Sequence, residues 1–522
     1  MKKDSFCLVF VCLLAIALAV PSVSASAGRS DTVRVALSYD PGTMNMLEMK
    51  TAIDIPPIVA MHEALLYAHP KTGDRVLGLA ESIEVMSNPK DIKIKIYNDA
   101  TFHTGDPVTA HDVKWTYEQC VNPQNANMMA GPLDEIESIE ILDDYTLILH
   151  FWEPYAAWRE LMWIGICSKQ YYDKVGREEF RKHPVGSSLL RFAERKVAES
   201  ITLEVDPNYK RYKRLKENFG IDPPNFRYLQ FVVVPDEVSR IAMLETGELD
   251  IVDGILPHQL KRLRRNKHVK IKRCDTAPSL IGLAASPYAD PIMRDSNLGY
   301  AIRYGINRQE IVEKIFLGEG YPLYLYASRS ELGYDPDIEY AFDLDKAREY
   351  LKKSSYTPGY PLMLTYTSSV PNSSLIAAAL QKYLTDVGIT VKLQKLEEGT
   401  AATYSRNKDP KIGALRLYTW AGGRDPSTRL LLSIVSTSPY CSDTNRPRKK
   451  ELDALCYAQA HEIDKAKRLK LLGKIHAILD ENALGVVLCG LNEIYATSDR
   501  IEYNWTPQEA LLVNVHAIRM IK

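Results

Sequence analysis

Leu362-Met-Leu-Thr-Tyr-Thr367, Leu375-Ile-Ala-Ala-Ala-Leu-Gln-Lys-Tyr-Leu-Thr-Asp-Val387, Gly388 and Ile389-Thr-Val-Lys-Leu-Gln-Lys-Leu396 follow one another closely along the chain. The first and last runs are short and largely apolar, as strands are. The middle run places its apolar residues on one helical face, and Gly388 stops it. Strand, helix, stop and strand in that order make a βαβ unit with two parallel strands in one sheet. Upstream, Asp343 stands as N-cap to an amphipathic helix running to Lys352, and Pro358 and Gly359 supply the turn that follows. Downstream, Ile463, Ala466, Leu469, Leu472, Ile475 and Leu479 recur at helical spacing and predict a long surface helix.

The chain before about residue 280 is richer in strands. Thr32–Leu37 and Ile92–Tyr97 alternate as half-buried strands do. Ser138–Leu142 and Tyr145–Phe151 flank Asp143-Asp144 and predict a hairpin. Ile201–Val205 and Tyr228–Val234 read as two further strands. The expectation is an α/β chain. At 522 residues it is too long for one core, so more than one lobe is expected.

Hydrophobic residues make up 46% and charged ones 25%, the balance of a folded globular chain. Lys plus Arg total 65 against 66 acids, so the electrostatic footprint of a nucleic-acid binder is missing. Lys2 and Lys3 precede an apolar run from Phe6 to Val20, then Pro21 and the small-residue triplet Ala25-Ser26-Ala27. That pattern predicts an export signal over residues 1–27 and a mature chain beginning near Gly28. Cys7 and Cys12 lie inside the apolar run rather than after it, so a lipoprotein is not expected. Six cysteines remain beyond the signal, and export permits disulfides. Cys441 and Cys456 are the nearest pair and the candidate bridge.

Catalytic motifs are missing. No G-x-S-x-G, HExxH, P-loop, G-x-G-x-x-G, calcium loop or C-x-x-C occurs. His62-Glu63 and His461-Glu462 start like zinc helices, but Leu66 and Lys465 stand where the second His belongs. The basic run Lys261–Lys267, with Lys270, Lys272 and Arg273, reads first as a solvated face and second as a docking patch for an acidic partner. Thirty tyrosines suit either strands or a half-wet binding surface. Binding is favoured over catalysis, and no cofactor is expected.

Several stretches resemble the solute-binding proteins of ABC importers, in the oligopeptide, dipeptide and nickel-binding family. Ala100-Thr-Phe-His-Thr-Gly-Asp-Pro-Val-Thr-Ala-His-Asp-Val113 is similar to the family's F-H-D-G-x-P-[FLV]-T-A-x-D-V segment, and Leu79-Ala80-Glu81 to its L-A-E. Arg240–Ile251 resembles R-x-x-x-L-x-x-G-E-x-D, and Ala301–Ile311 resembles A-[IL]-x-x-A-I-D-R-x-x-I. The resemblance implies two α/β lobes with hinge strands and a subdomain inserted in lobe one. On that basis lobe one is 28–278 with its insertion at about 61–190, lobe two is 279–488, and 489–522 returns to lobe one. It further implies a ligand held between closing lobes, a membrane permease as partner, a periplasmic location and a monomer.

The resemblance also locates the site. It puts Thr43, Met44 and Asn45 after the first strand, Ser187 and Ser188 in the Pro184–Phe192 turn, and Tyr418, Trp420, Gly423, Arg424 and Asp425 in lobe two. Peptide-binding members pair an Asp of a W-x-x-D-x-x-[DE]-P loop with the peptide amine. Here that loop is one residue shorter, and Gly423 occupies the Asp position. Asp425 is the substitute candidate. Arg424 is either a turn residue paired to Asp425 or a fork for an anionic ligand. Ser188 and Leu189 replace the Gly and Pro of the family's P-V-G-T-G-P turn. The expected ligand is a peptide or peptide-like solute. The alternatives are a non-peptide anion or nickel chelate, a periplasmic sensor role, and an exported hydrolase with an unconventional site.

Overall fold

The computed structural model describes residues 31–51, 54–69, 72–220, 222–275, 277–421, 423–438, 440–483, 485–504 and 517–521. The export signal expected over 1–27 lies outside them.

The βαβ unit forms as its pattern requires. Strand Pro361–Tyr366 pairs in parallel with Thr390–Lys395. Helix Ser373–Val387 packs Ile376, Leu380 and Leu384 into the core between them. Gly388 takes φ +112, a backbone open to glycine, and its N–H satisfies the carbonyls of Leu384 and Thr385. This unit is one edge of a six-stranded sheet. Its order is Gly320–Pro322, Val486–Leu491, Ser279–Ala285, Leu415–Ala421, Pro361–Tyr366 and Thr390–Lys395. Helices Ser296–Gly305, Leu344–Lys353 and Ser373–Val387 share one core with it. Pro426–Ser433, Lys449–His461 and Lys465–Asn482 form a second apolar cluster.

A separate seven-stranded sheet makes the other lobe, in the order Val269–Cys274, Glu493–Ser498, Ile251–Val252, Thr32–Leu37, Tyr228–Val233, Ser200–Val205 and Leu190–Lys196. A four-stranded antiparallel sheet, Ala80–Val85, Asp91–Ile96, Thr146–Phe151 and Ile136–Asp143, carries helix Ala110–Val121 and its own core. The last two of these strands are the hairpin expected around Asp143-Asp144. The architecture is the two-lobed α/β fold with an inserted subdomain.

The quoted motifs prove to be scaffolding. Asp112 and Thr109 close a capping box at the start of helix Ala110–Val121. His103 Nε2 lies 2.8 Å from Ser188 O, and its backbone N–H donates to Gly186 O at 2.9 Å. The F-H-x-G segment therefore clamps the 184–188 turn. Gly186 is held so close that a Cβ there would stand 2.0 Å from Met61 O. Asp250, fully buried, accepts from Arg34 N at 3.0 Å and Ser498 Oγ at 2.7 Å, tying three neighbouring strands together.

Two expectations are corrected. The stripe on helix Lys465–Asn482 buries Leu472, Ile475 and Ile478, whereas Ile463 precedes the N-cap Asp464 and Leu469 is exposed. Arg468 takes the inward position instead, because it pairs with Asp425. The Cys441–Cys456 bridge does not form: all six cysteines are free and buried. Three residues of the basic run are paired within the fold, Arg262 with Glu245 and both Arg264 and Arg273 with Glu319.

Burial pushes the thiols of Cys120, Cys456 and Cys489 up to about 12, which leaves them inert at neutral pH. A maleimide reagent should therefore label none of the six in the native protein and all six after denaturation without reductant. A count two short of that would mean that a bridge had formed.

Candidate functional site

The lobes are joined where the chain crosses between the sheets. Strands Ser279–Ala285 and Val486–Leu491 lie side by side in lobe two. The first follows Val269–Cys274 of lobe one, and the second continues through Asn492 into Glu493–Ser498. At this hinge stand two half-buried carboxylates, Asp253 and Glu493. Burial and the charge of Asp253 push Glu493 up to about 7, and the Ser279 hydroxyl bonds it. Burial also raises Asp253, against the pull of Arg240. Neither acid forms an ion pair among the described residues. Beside them Glu319 bridges the lobes, bonded to Arg264 at 3.2 Å, Arg273 at 3.4 Å and Asn492 at 3.2 Å.

Away from the hinge, the inserted subdomain meets lobe two. Ala156 N donates to Ala460 O at 2.8 Å, and His461 lies 3.3 Å from Glu135. Arg424 reaches Asp74 at 3.3 Å. A Cβ on Gly423 would stand 3.5 Å from Glu160, whose carboxylate is held by Arg75 at 2.8 Å.

The lobe-two candidates thus separate into different roles. Asp425 caps helix Pro426–Ser433 through Ser427 N at 2.9 Å, and Arg468 grips both its oxygens at 2.6 and 2.7 Å. Its charge is already answered inside lobe two. Arg424 faces Asp74 across the lobes rather than Asp425. Tyr418 and Trp420 line a cavity within lobe two. From lobe one, Thr43 Oγ1 accepts from Asn45 N at 3.0 Å and Met44 joins the core of the seven-stranded sheet. Asn45 caps the short turn that follows, accepting from Leu47 N at 3.0 Å, while its Nδ2 is buried without a hydrogen-bond partner. Ser187 Oγ accepts from Glu63 N at 3.3 Å, and the Ser188 hydroxyl is buried without a partner. Asn45 and Ser188 therefore each keep a polar atom that the protein does not satisfy.

The hinge acids were not among the residues singled out from the sequence. Asp253 lies two residues beyond the matched Arg240–Ile251 step, and Glu493 follows the expected return strand. Only the approach of two distant chain segments makes them a pair.

Residues 75–438 match the family described as "Bacterial extracellular solute-binding proteins, family 5 Middle". The chain belongs to this family. Among curated relatives, the glutathione-binding protein GsiB of Pectobacterium atrosepticum is 24% identical over 384 residues, 69% of each chain. Among solved structures, the substrate-binding protein CtaP of Listeria monocytogenes superposes with a TM-score of 0.82 at 19% identity, covering 94% of this chain and 99% of that one. DppA of Helicobacter pylori, in complex with the peptide STSA, gives 0.78 at 20% identity, covering 94% and 98%. NikZ of Campylobacter jejuni, in complex with Ni(L-His), gives 0.79 at 17% identity, covering 94% and 99%. This solute-binding protein thus has a fold that serves chemically different ligands in its relatives, so its own residues must decide the ligand.

Asp425→Asn should destabilise the solute-binding protein by about 3 kcal/mol, because Arg468 is left buried without its counter-charge. Chemical denaturation measures this, and an unchanged midpoint would return Asp425 to the pool of free anchors.

Glu493 predicts a pH effect of defined sign. Its folded value of about 7 exceeds the ordinary 4.5, so its contribution to stability is full below pH 4.5 and is lost as pH rises through 7. Glu493→Gln should remove that component from the thermal midpoint measured across pH 4 to 8. Parallel profiles for the two proteins would show that Glu493 titrates normally.

Proposed function

We propose that this solute-binding protein captures a short peptide or peptide-like solute between its lobes and hands it to the permease of an ABC importer. It does so outside the cytoplasm, as a monomer, and by binding rather than catalysis. The observation that carries the ligand class is the pair Asp253 and Glu493, two half-buried acids at the hinge, neither in an ion pair among the described residues. Burying a carboxylate without a partner is costly, and an ammonium brought by the ligand relieves both acids at once. Hinge closure around such a ligand couples binding to the shape that a permease reads. Asn45 and Ser188 offer a donor and a hydroxyl for the ligand's backbone. The peptide carried by DppA and the glutathione named for GsiB both bear a free amine, which supports this reading.

Native mass spectrometry of protein purified from its own host is the direct test. A co-purifying peptide series is expected, and a single ligand lacking an amine would overturn the peptide class. For a peptide so identified, Glu493→Gln should weaken binding by about 2 kcal/mol, the scale of truncating one partner of a buried charge pair. Titration calorimetry near pH 6.5 in two buffers of different ionisation enthalpy should also show proton release on binding, abolished in Glu493→Gln. Buffer-independent heats in the parent protein would remove Glu493 from the site.

A further inference from the structure

Between the six-stranded sheet and helices Pro426–Ser433 and Lys465–Asn482 lies a cavity of about 440 Å³, within the size range of small-molecule sites. Every described wall residue falls between Leu283 and Val487, so among the described residues lobe two alone lines it. Its charge is lopsided. Arg303, Arg308, Arg416 and Arg446 line it, against the single carboxylate of Asp480 among the described lining residues. That carboxylate is already bound by Arg303 and by the Tyr340 hydroxyl.

The other three arginines form no ion pair among the described residues, although Asp443 and Asp453, the latter paired with Lys449, both act on Arg446 from a distance. Arg308, 3% exposed, donates to two backbone carbonyls, Val487 O at 2.8 Å and Arg303 O at 3.2 Å. Arg446, 5% exposed, has no hydrogen-bond partner at Nε and no ion pair among the described residues. Asp443 lies close enough to act on it but contacts Arg294, at 3.9 Å. Arg416 likewise has no ion pair among the described residues. Elsewhere in the same lobe buried arginines are matched, Arg468 by Asp425 and Arg429 by Glu331 at 2.5 Å. Burying guanidinium groups without a counter-charge is costly unless an anion completes the site. Burial accordingly presses Arg308 down to about 10 and lowers Arg446. Tyr288, Tyr324, Tyr440, Ser286 and Ser442 are among the other polar residues of the wall, a surface suited to hydroxyl groups and sugar faces.

We propose that this cavity is a second ligand site, for a small polyhydroxylated solute whose carboxylate or phosphate is held by Arg308, Arg416 and Arg446. Because one lobe forms all its walls, it fills without the lobes closing.

The test is titration calorimetry of the full mature chain with three probes: gluconate, glucose 6-phosphate and inorganic phosphate. Gluconate binding marks a carboxylate site, and glucose 6-phosphate binding a phosphate site. At least one of these two should bind more tightly than inorganic phosphate, with quenching or enhancement of Trp420 fluorescence. Arg446→Met should weaken that binding about 30-fold or more. Ser442→Trp, which obstructs the cavity and leaves every arginine in place, should abolish it and serves if Arg446→Met does not fold. Glu493→Gln should leave it unchanged, so that failure of this site and failure of the hinge reading are told apart. Three results would overturn the proposal: no binding of any probe up to about 10 mM, a Kd weaker than any functional site needs; binding untouched by Ser442→Trp; or binding lost in Glu493→Gln, which would put the anion at the hinge.

Discussion

Asn492 links two strands that belong to different sheets. The residues before it, Val486–Leu491, belong to the sheet of lobe two, and those after it, Glu493–Ser498, to the sheet of lobe one. Both strands are pinned by ladders on either side, so rotation of one lobe against the other must be absorbed at this link and at the stretch after Cys274. The constraint sets where a ligand is felt. A charge placed against Glu493 acts one residue from the hinge, with Glu319 tying the same asparagine to Arg264 and Arg273 from the other side. The hinge acids and the interlobe clamp thus share one short segment.

Buried charge elsewhere serves a different purpose. Glu63 meets Arg211 at 2.5 Å and Tyr209 at 2.9 Å, Arg429 meets Glu331, and Asp425 meets Arg468. Such pairs add little net stability relative to apolar packing, but removing one partner is costly. Glu63 holds the start of the insertion against Tyr209 and Arg211 of lobe one, and Asp425 holds the start of helix Pro426–Ser433 against Lys465–Asn482. Against this pattern of matched pairs, Asp253, Glu493, Arg308 and Arg446 stand out as charges the protein leaves to something else.

Much of the scaffold was legible because local patterns carried it. The parallel pairing of Pro361–Tyr366 with Thr390–Lys395 follows from a helix of the right length and a glycine stop. The capped helix at Asp343 follows from one side chain accepting its Lys346 N–H. The site was less legible, since its charges are assigned by long-range partners. Asp425 carries the right charge near the expected position, yet its fate is decided by Arg468, a residue the helical stripe had turned outward. Cys441 and Cys456 are close in sequence but make no bond, because spacing says nothing about the direction of their side chains.

Composition hid the same distinction. A net charge of −1 averages over a chain whose charge is locally segregated. Two acids collect at the hinge, and arginines collect behind the sheet of lobe two. Both groups are at least half-buried, so each is screened less than an exposed pair of the same sign. The family likeness gives the fold its role, while the placement of charge within it is particular to this chain.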